Sequence, residues 1–347
     1  MYANNSLYIE DIKRILKFDY SFLKDKTIFI TGSSGLVGSC LIDVLMYLNK
    51  ALNYNIKIIA TFRSETSAQK RFYDYLNDNH FNILIQNINE SIKYDENIDY
   101  IIHTASNTHP ALYAQNPAET IKLNVLGTLN ILDFAKKYPH SKTIFTSTLE
   151  VYGENENLEK FKEDDIGYIN FMKARACYPE SKRVCETLCH SYKQEYNVNF
   201  NIVRLGYIYG PTVKTDSSKA DVQFLNKALN SENIEMKSKG MQRRSYCYVL
   251  DTVSAILTVL YKGVSGETYN IANQNGNILL RDFAQTLAEI AGVKIIFELP
   301  TEAEKLGYST VQNSTLDSAK LESLGWESEF TFREGIEHTY NIKREIC

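Results

Sequence analysis

Short apolar runs rich in β-branched residues alternate with stretches of helical period along the first two thirds of the chain. Thr27-Ile28-Phe29-Ile30 is the earliest clear run. It passes at once into Thr31-Gly32-Ser33-Ser34-Gly35-Leu36-Val37-Gly38 and then into an apolar helical pattern from Cys40 to Leu48. A strand, a glycine turn and a helix are predicted in that order. Further strands are predicted at Ile56–Thr61, Phe81–Ile85, Tyr100–Thr104, Lys142–Ser147 and Asn201–Leu205, with helix-like stretches between most of them. Such alternation argues for an α/β fold with a parallel, doubly wound sheet of the Rossmann kind.

After Tyr209-Gly210-Pro211 the rhythm changes to isolated helices and short strands, with helices expected at Asp251–Tyr261, Leu280–Ala291 and Asp317–Leu324. The reading is therefore three parts: an amphipathic lead-in helix within residues 1–26, a nucleotide-binding sheet domain over 27–210, and a smaller α/β substrate-binding domain over 211–347, its boundary soft. No repeat or Pro/Gly linker separates the two larger units, so they are expected to pack closely around a cleft.

Composition narrows the function classes. With 44% hydrophobic and 23% charged residues in 347, the chain has the balance of a soluble globular protein, and no long apolar run free of charge marks a membrane span. A formal net charge of −4 disfavours a broad nucleic-acid surface while leaving room for a local phosphate pocket. Six cysteines, at Cys40, Cys177, Cys185, Cys189, Cys247 and Cys347, follow no secretory segment, which predicts free thiols in a reducing cytoplasm. Cys185, Cys189 and His190 share a helical turn, but two ligands on one turn need two more from elsewhere, so they read as core and no metal is expected.

Gly32, Gly35 and Gly38 fall in a G-x-x-G-x-x-G spacing between a strand and a helix. The glycines allow a tight turn and close approach of backbone to a pyrophosphate, and the N–H groups of residues 32–38 (Gly32, Ser33, Ser34, Gly35, Leu36, Val37, Gly38) face the phosphates at the helix start. A carboxylate ending the second strand holds the adenosine ribose of NAD, yet this strand ends Ile59-Ala60-Thr61-Phe62-Arg63. Thr61 stands about where the acid belongs, and Arg63 can bond a 2′-phosphate, so NADP(H) is expected, with NAD(H) the alternative.

Tyr178-Pro179-Glu180-Ser181-Lys182 sets a tyrosine and a lysine four apart on one helix face, and Pro179 fits only if Tyr178 lies in the first turn. A phenol with a pKa of ~10 is a poor base at neutral pH, and the Lys182 ammonium is expected to bring it down while holding the cofactor ribose. Upstream, Ser147-Thr148-Leu149-Glu150 ends a strand, where the Thr148 hydroxyl can bind the oxygen whose proton Tyr178 exchanges.

The order of glycine turn, hydroxyl-bearing strand end, tyrosine and lysine resembles extended short-chain dehydrogenases/reductases of the NAD-dependent epimerase/dehydratase family. His103-Thr104-Ala105-Ser106, Asn124-Val125-Leu126-Gly127-Thr128 and Arg204 leading to Tyr209-Gly210-Pro211 are similar to further family motifs. The resemblance implies Thr148, Tyr178 and Lys182 as the catalytic triad with Asn124 behind it, His103 and Ala105 lining the cofactor, and Ser106 the substrate. It also implies that Arg244, within Gln242-Arg243-Arg244-Ser245-Tyr246, binds a substrate diphosphate. The run Arg175-Ala176-Cys177-Tyr178 with Ser181-Lys182-Arg183 resembles UDP-glucuronate decarboxylases in particular. Sugar-nucleotide 4,6-dehydratases carry an aspartic acid after the threonine; Leu149 stands there and cannot donate a proton. Glu150 is left as an acid/base or orienting group, or else a strand-end carboxylate bonded to nearby N–H groups.

Three readings follow. The leading one, resting on the Thr61–Arg63 strand end, is an oxidoreductase that spends NADPH to reduce a ketone of a nucleotide-activated or nucleotide-linked open-chain sugar. The second is a redox-neutral decarboxylase or 4-epimerase using the same residues. The third is a non-catalytic NADP-binding sensor, against which the triad argues. Resemblance further implies a homodimer through residues 123–138 and 182–196, and a place in surface polysaccharide synthesis.

Overall fold

The computed structural model describes residues 2–106, 113, 115–298 and 312–346. Strands β1 (Thr27–Thr31), β2 (Lys57–Phe62), β3 (Phe81–Ile85), β4 (Tyr100–His103), β5 (Lys142–Thr148) and β6 (Phe200–Leu205) follow the β-branched runs. Among the described residues they join β10 (Thr268–Ile271) in a seven-stranded sheet of order β10-β6-β5-β4-β1-β2-β3, every pairing parallel. The last strand to join comes from beyond residue 211, so the main sheet is completed by the part of the chain expected to form the second unit.

Parallel strands covered on both faces are apolar on both, which is why β1 reads as a continuous run rather than an alternation. Ile28 and Ile30 enter one core with helices α1 (Ser6–Ile15), α2 (Leu36–Leu52) and, from the later chain, Val249–Lys262. Phe29 points the other way, with Ile59, Ile101 and Phe145, into a core closed by the helices Pro117–Lys136 and Cys177–Tyr196. With α3 at Glu65–Phe72, these two are α4 and α5 in chain order. Cys185 and Cys189 lie in this second core, and the five described cysteines are free and buried. Cys347 lies outside the described residues.

The smaller unit adds β7 (Tyr207–Tyr209), α6 (Ala220–Leu229), β8 (Ile234–Met236), β9 (Arg243–Tyr248), α7 (Val249–Lys262), β11 (Asn277–Leu279), α8 (Leu280–Ala291), β12 (Ile295–Phe297), β13 (Asn313–Ser314), α9 (Ala319–Glu322) and α10 (Phe332–Ile346). Strand β9 is its centre, flanked by β7, β11 and β13. The lead-in helix is bolted to the far end of the chain. Asn5 caps it, accepting from Tyr8 N (2.8 Å), and donates to Glu345 (2.6 Å). Buried Asp11 accepts from the Tyr248 hydroxyl (2.8 Å) and pairs with His338 Nδ1 (2.8 Å), while Arg14 bonds Glu334 and the Glu329 carbonyl. No helix among the described residues is long and apolar enough to cross a membrane.

Candidate active site

The strand order reverses between β1 and β4, and open α/β sheets bind ligands at such a crevice, beyond the carboxyl ends of the strands. The glycine turn lies there. Gly32 adopts φ +68°, and a Cβ on it would come within 2.7 Å of the Thr104 and Ala105 backbone. A Cβ on Gly38 would meet the Gly32 carbonyl at 2.5 Å. Gly35 precedes helix α2 as its N-cap with no side chain capping the first N–H groups, so Leu36 and Val37 open a turn that has donors to offer. These features fit a dinucleotide pyrophosphate. The two serines of the turn part company: Ser33 is buried and donates to the Ile30 carbonyl (3.0 Å), whereas Ser34 accepts from Lys214 Nζ (3.2 Å). The Ser33 hydroxyl is therefore spent on the fold.

At the end of β2, Thr61 is buried and Arg63 is exposed, with no hydrogen bond or ion pair among the described residues. His103, expected against the cofactor, is buried and bonds the Thr31 hydroxyl through Nδ1 (2.7 Å). Burial, with the nearby Lys182 charge, holds its pKa down to about 3, so it is neutral and its side chain ties β4 to β1. Ala105 N donates to the same Thr31 hydroxyl (3.2 Å).

Helix α5 begins at Cys177, which puts Tyr178 and Pro179 in its first turn, where a missing N–H costs nothing. One turn on, Lys182 is buried and donates to the Thr146 carbonyl (2.9 Å), over the Phe145 ring. Burial also lowers its affinity for a proton. The phenol of Tyr178 is pushed well above its ordinary range, first by burial and then by the Glu150 carboxylate; the Thr148 hydroxyl and Arg175 pull the other way. The expected lowering by Lys182 is thus not what the structure has. Its ammonium is turned to the Thr146 carbonyl, and burial and Glu150 outweigh the groups that favour the phenolate.

Those groups form a cluster that the spacing of Tyr178 and Lys182 did not foretell. Glu150, on the short 3₁₀ turn Leu149–Tyr152 that Thr148 caps, receives both bonds of one Arg175 nitrogen (3.0 and 3.3 Å). Glu150 is therefore ion-paired and not merely bonded to strand-end N–H groups. The Arg175 guanidinium lies over the Tyr113 ring (4.9 Å), and that ring stacks on Tyr178 with centroids 4.6 Å apart. Arg175 Nε is buried without a partner among the described residues. Leu149 is buried with Val151, Tyr152, Phe161, Ala272 and Leu316, so nothing at that position can give up a proton.

Behind the triad a relay of polar side chains crosses from β4 to α5. Ser106 bonds Asn124 Oδ1 (2.9 Å), Asn124 Nδ2 donates to Ser181 (2.8 Å), and Ser181 donates to the Tyr178 carbonyl (2.9 Å). Ser106 is thereby drawn into the support of the site. On the second unit, Arg244 lies over the Tyr207 ring (4.5 Å) and donates to the Tyr246 hydroxyl (3.4 Å), with no carboxylate partner among the described residues. Tyr207 packs on the cluster that holds Leu149, which sets this guanidinium on the same cleft.

Residues 28–272 match the model of the NAD dependent epimerase/dehydratase family. UDP-glucuronic acid decarboxylase 6 of Arabidopsis thaliana is 30% identical over 319 residues, 91% of this chain and 88% of that protein. UDP-glucuronic acid decarboxylase 1 of Xenopus tropicalis is 28% identical over 324 residues, 92% of this chain and 72% of its own length. Of solved structures, a Thermotoga maritima UDP-glucose 4-epimerase with UDP-glucose aligns at TM-score 0.77 and 24% identity, covering 92% of this chain and 99% of that one. A Bacillus cereus UDP-glucuronic acid 4-epimerase in complex with UDP-glucuronic acid and NAD aligns at TM-score 0.78 and 20% identity, over 92% and 100%. The two sequence relatives are decarboxylases rather than ketone reductases, and so they favour the redox-neutral reading over net reduction; the two structures show the fold.

Proposed function

The chain belongs to the NAD-dependent epimerase/dehydratase family, and from that premise we propose that it is a redox-neutral enzyme of a nucleotide-linked uronic acid, a decarboxylase of the UDP-glucuronate type. A nicotinamide dinucleotide held by the glycine turn would supply a hydride acceptor, and later the donor, for sugar C4. Tyr178 takes the C4 hydroxyl proton, with the Thr148 hydroxyl holding the same oxygen. Lys182 anchors the ribose beside them. The resulting ketone stands β to the carboxylate, so CO₂ leaves with its bonding electrons passing to the C4 oxygen, where Tyr178 and Thr148 stabilise the charge. C5 then takes a proton from solvent, and Tyr178 returns the C4 proton to the oxygen as the ketone is reduced, so that one proton is consumed for each CO₂ released. Arg244 holds the diphosphate by a guanidinium that the fold leaves without a carboxylate.

The observation that carries this reading is the Glu150–Arg175 pair beside Tyr178. A lone carboxylate there would repel a uronate. Paired, it leaves the site close to neutral, and the unpartnered Arg175 Nε–H fits a substrate carboxylate. Dehydration is disfavoured by Leu149. The expected product from UDP-glucuronic acid is a UDP-pentose and CO₂ with no net change in cofactor absorbance; stoichiometric loss of NADPH without CO₂ would overturn the reading.

The edge of β2 favours a second reading. No carboxylate is offered to an adenosine 2′-hydroxyl, and Arg63 is free for a 2′-phosphate, which fits NADP(H) and the net reduction of a keto-sugar nucleotide. Exposed Ile121 and Leu126 on α4 and Val184 on α5 support a homodimer through these helices.

A further inference from the structure

A buried ion pair lies behind the strand end that carries Thr148. In the parallel register of β5 and β6, Arg204 stands opposite Ser147, and Leu205 opposite Thr148. Glu186, on α5 one turn past Lys182, closes over the first of these pairs. Its Oε1 accepts from the Ser147 hydroxyl (2.5 Å) and from Arg204 Nε (3.0 Å), and its Oε2 from Arg204 Nη2 (2.7 Å). Arg204 is braced in turn: Nη1 donates to the Glu163 carbonyl (2.7 Å), and the guanidinium lies over the Tyr152 ring (4.7 Å), whose hydroxyl donates to Asn270 on β10 (2.6 Å). Glu186 and Ser147 are buried. A charge pair at this depth is a weak source of stability, since apolar side chains of similar volume replace such pairs with little loss. What it secures is geometry.

We propose that Glu186 is a positioning residue: held by Arg204, it fixes the end of β5 that carries Thr148 against the helix that carries Tyr178 and Lys182. This rests on Thr148, Tyr178 and Lys182 acting together on the substrate, and not on which nucleotide sugar they turn over. Two side chains one turn apart on α5 grip two successive residues of β5, Lys182 at the Thr146 carbonyl (2.9 Å) and Glu186 at the Ser147 hydroxyl. The strand therefore cannot slide along the helix, and the residue that follows the grip is Thr148. A displacement of about 1 Å in such a placement costs catalysis far more than it costs binding. The carboxylate also acts through its charge. The titratable groups around Lys182 are Cys185, Glu186 and Cys189 on its own helix and His103, neutral, on β4. Burial lowers the affinity of Lys182 for its proton, and Glu186 works against that. Facing Glu186 are Arg204 from β6 and the thiols Cys185 and Cys189 from α5.

The test uses the purified full chain and three variants, with UDP-glucuronic acid as the substrate. Ser147→Ala removes the hydroxyl and leaves the ion pair. Glu186→Gln combined with Arg204→Met removes both charges, so that no buried cation is stranded. Glu186→Asp keeps the charge. In Ser147→Ala, kcat should fall about tenfold or more with KM within a few-fold of wild type. The double variant should lose at least as much, and the alkaline limb of its kcat profile, which follows the Lys182 proton, should move to lower pH; Ser147→Ala and Glu186→Asp should keep that limb in place. Hydrogen exchange of peptides spanning residues 147–153 should quicken in Ser147→Ala and in the double variant while β1 exchanges as in wild type. Exchange needs no substrate, so a wild type inactive on UDP-glucuronic acid would remove the decarboxylase reading and leave exchange to decide the role of Glu186. Wild-type kcat in Ser147→Ala, an unmoved limb in the double variant, or exchange that quickens equally throughout the sheet would overturn it, the last making the pair an ordinary support of the fold.

Discussion

The two ends of the cleft are built on opposite terms. Around Tyr178 the polar groups are buried or half-buried, and most are answered from within: Lys182 by Thr146, Glu150 by Arg175, Asn124 by Ser106 and Ser181. At the end of β2, Arg63 stands in solvent, and at the glycine turn Lys214 is held, among the described residues, by nothing stronger than a serine hydroxyl. Where proton affinities have to be set, burial does it, because a low dielectric magnifies each charge and hydrogen bond. Where a soluble, highly charged ligand has to be recognised, open cations suffice, at the cost of being screened by salt.

The strongest way to break this contrast is Tyr178→Phe. Turnover of the nucleotide sugar should fall by about 10²–10⁴-fold, the range for loss of a general acid/base, with cofactor affinity within a few-fold of wild type. Steady-state turnover beside cofactor titration decides it, and unimpaired turnover would take Tyr178 out of the chemistry.

A buried carboxylate away from the cleft extends the rule. Asp251 accepts from Glu329 N (2.7 Å) and Phe330 N (3.4 Å), and burial raises its pKa from 3.8 to about 7. Between those values the native state holds a proton that the unfolded chain has lost, so this group lowers stability as pH rises from about 4 to 7, with no further loss above. Asp251→Asn should flatten that slope. Urea unfolding at pH 5 and pH 8, read by the single Trp326, which donates to Ser254 on the same helix, gives the comparison.

The relay behind the triad should yield less. Asn124→Ala removes the acceptor of half-buried Ser106 and the donor to buried Ser181, and a stability loss of about 1–3 kcal/mol is expected by denaturant unfolding. An unchanged midpoint would show that the relay adds nothing to the fold. The smallest effect belongs to the open end. Raising salt from low to molar should weaken NADPH binding several-fold while leaving the unfolding midpoint of Asn124→Ala relative to wild type unmoved.

The sheet was legible because strands buried on both faces carry unbroken apolar runs, as Ile28–Ile30 and Ile101–Ile102 are. The seventh strand was not: Thr-Tyr-Asn-Ile at 268–271 is four residues long and half polar, and it is a strand because β6 leaves it an edge to pair with. Helix Leu280–Ala291 was read to its ends, its strong one-sided apolar pattern being local, whereas of Asp317–Leu324 only Ala319–Glu322 is helical. In the site, the glycines and the tyrosine–lysine pair announce themselves by spacing. Arg175 was in view, one turn before Tyr178, yet its partner Glu150 is 25 residues away. Tyr113 and Lys214 meet Tyr178 and Ser34 only through the fold, and no local pattern carries such contacts. The ammonium of Lys182 illustrates the remaining limit: position four after the tyrosine fixes where the lysine stands, but the carbonyl of Thr146 fixes where it points.

The bolting of helix Ser6–Ile15 to Phe332–Ile346 bears on how the molecule comes into being. Asp11, Arg14 and Asn5 are synthesised 327, 320 and 340 residues before their partners His338, Glu334 and Glu345. Over that stretch of translation the helix has a carboxylate and an apolar face without their final partners. The core around it is therefore finished only after residue 345 has emerged, and until then a nascent-chain chaperone has to shelter the helix.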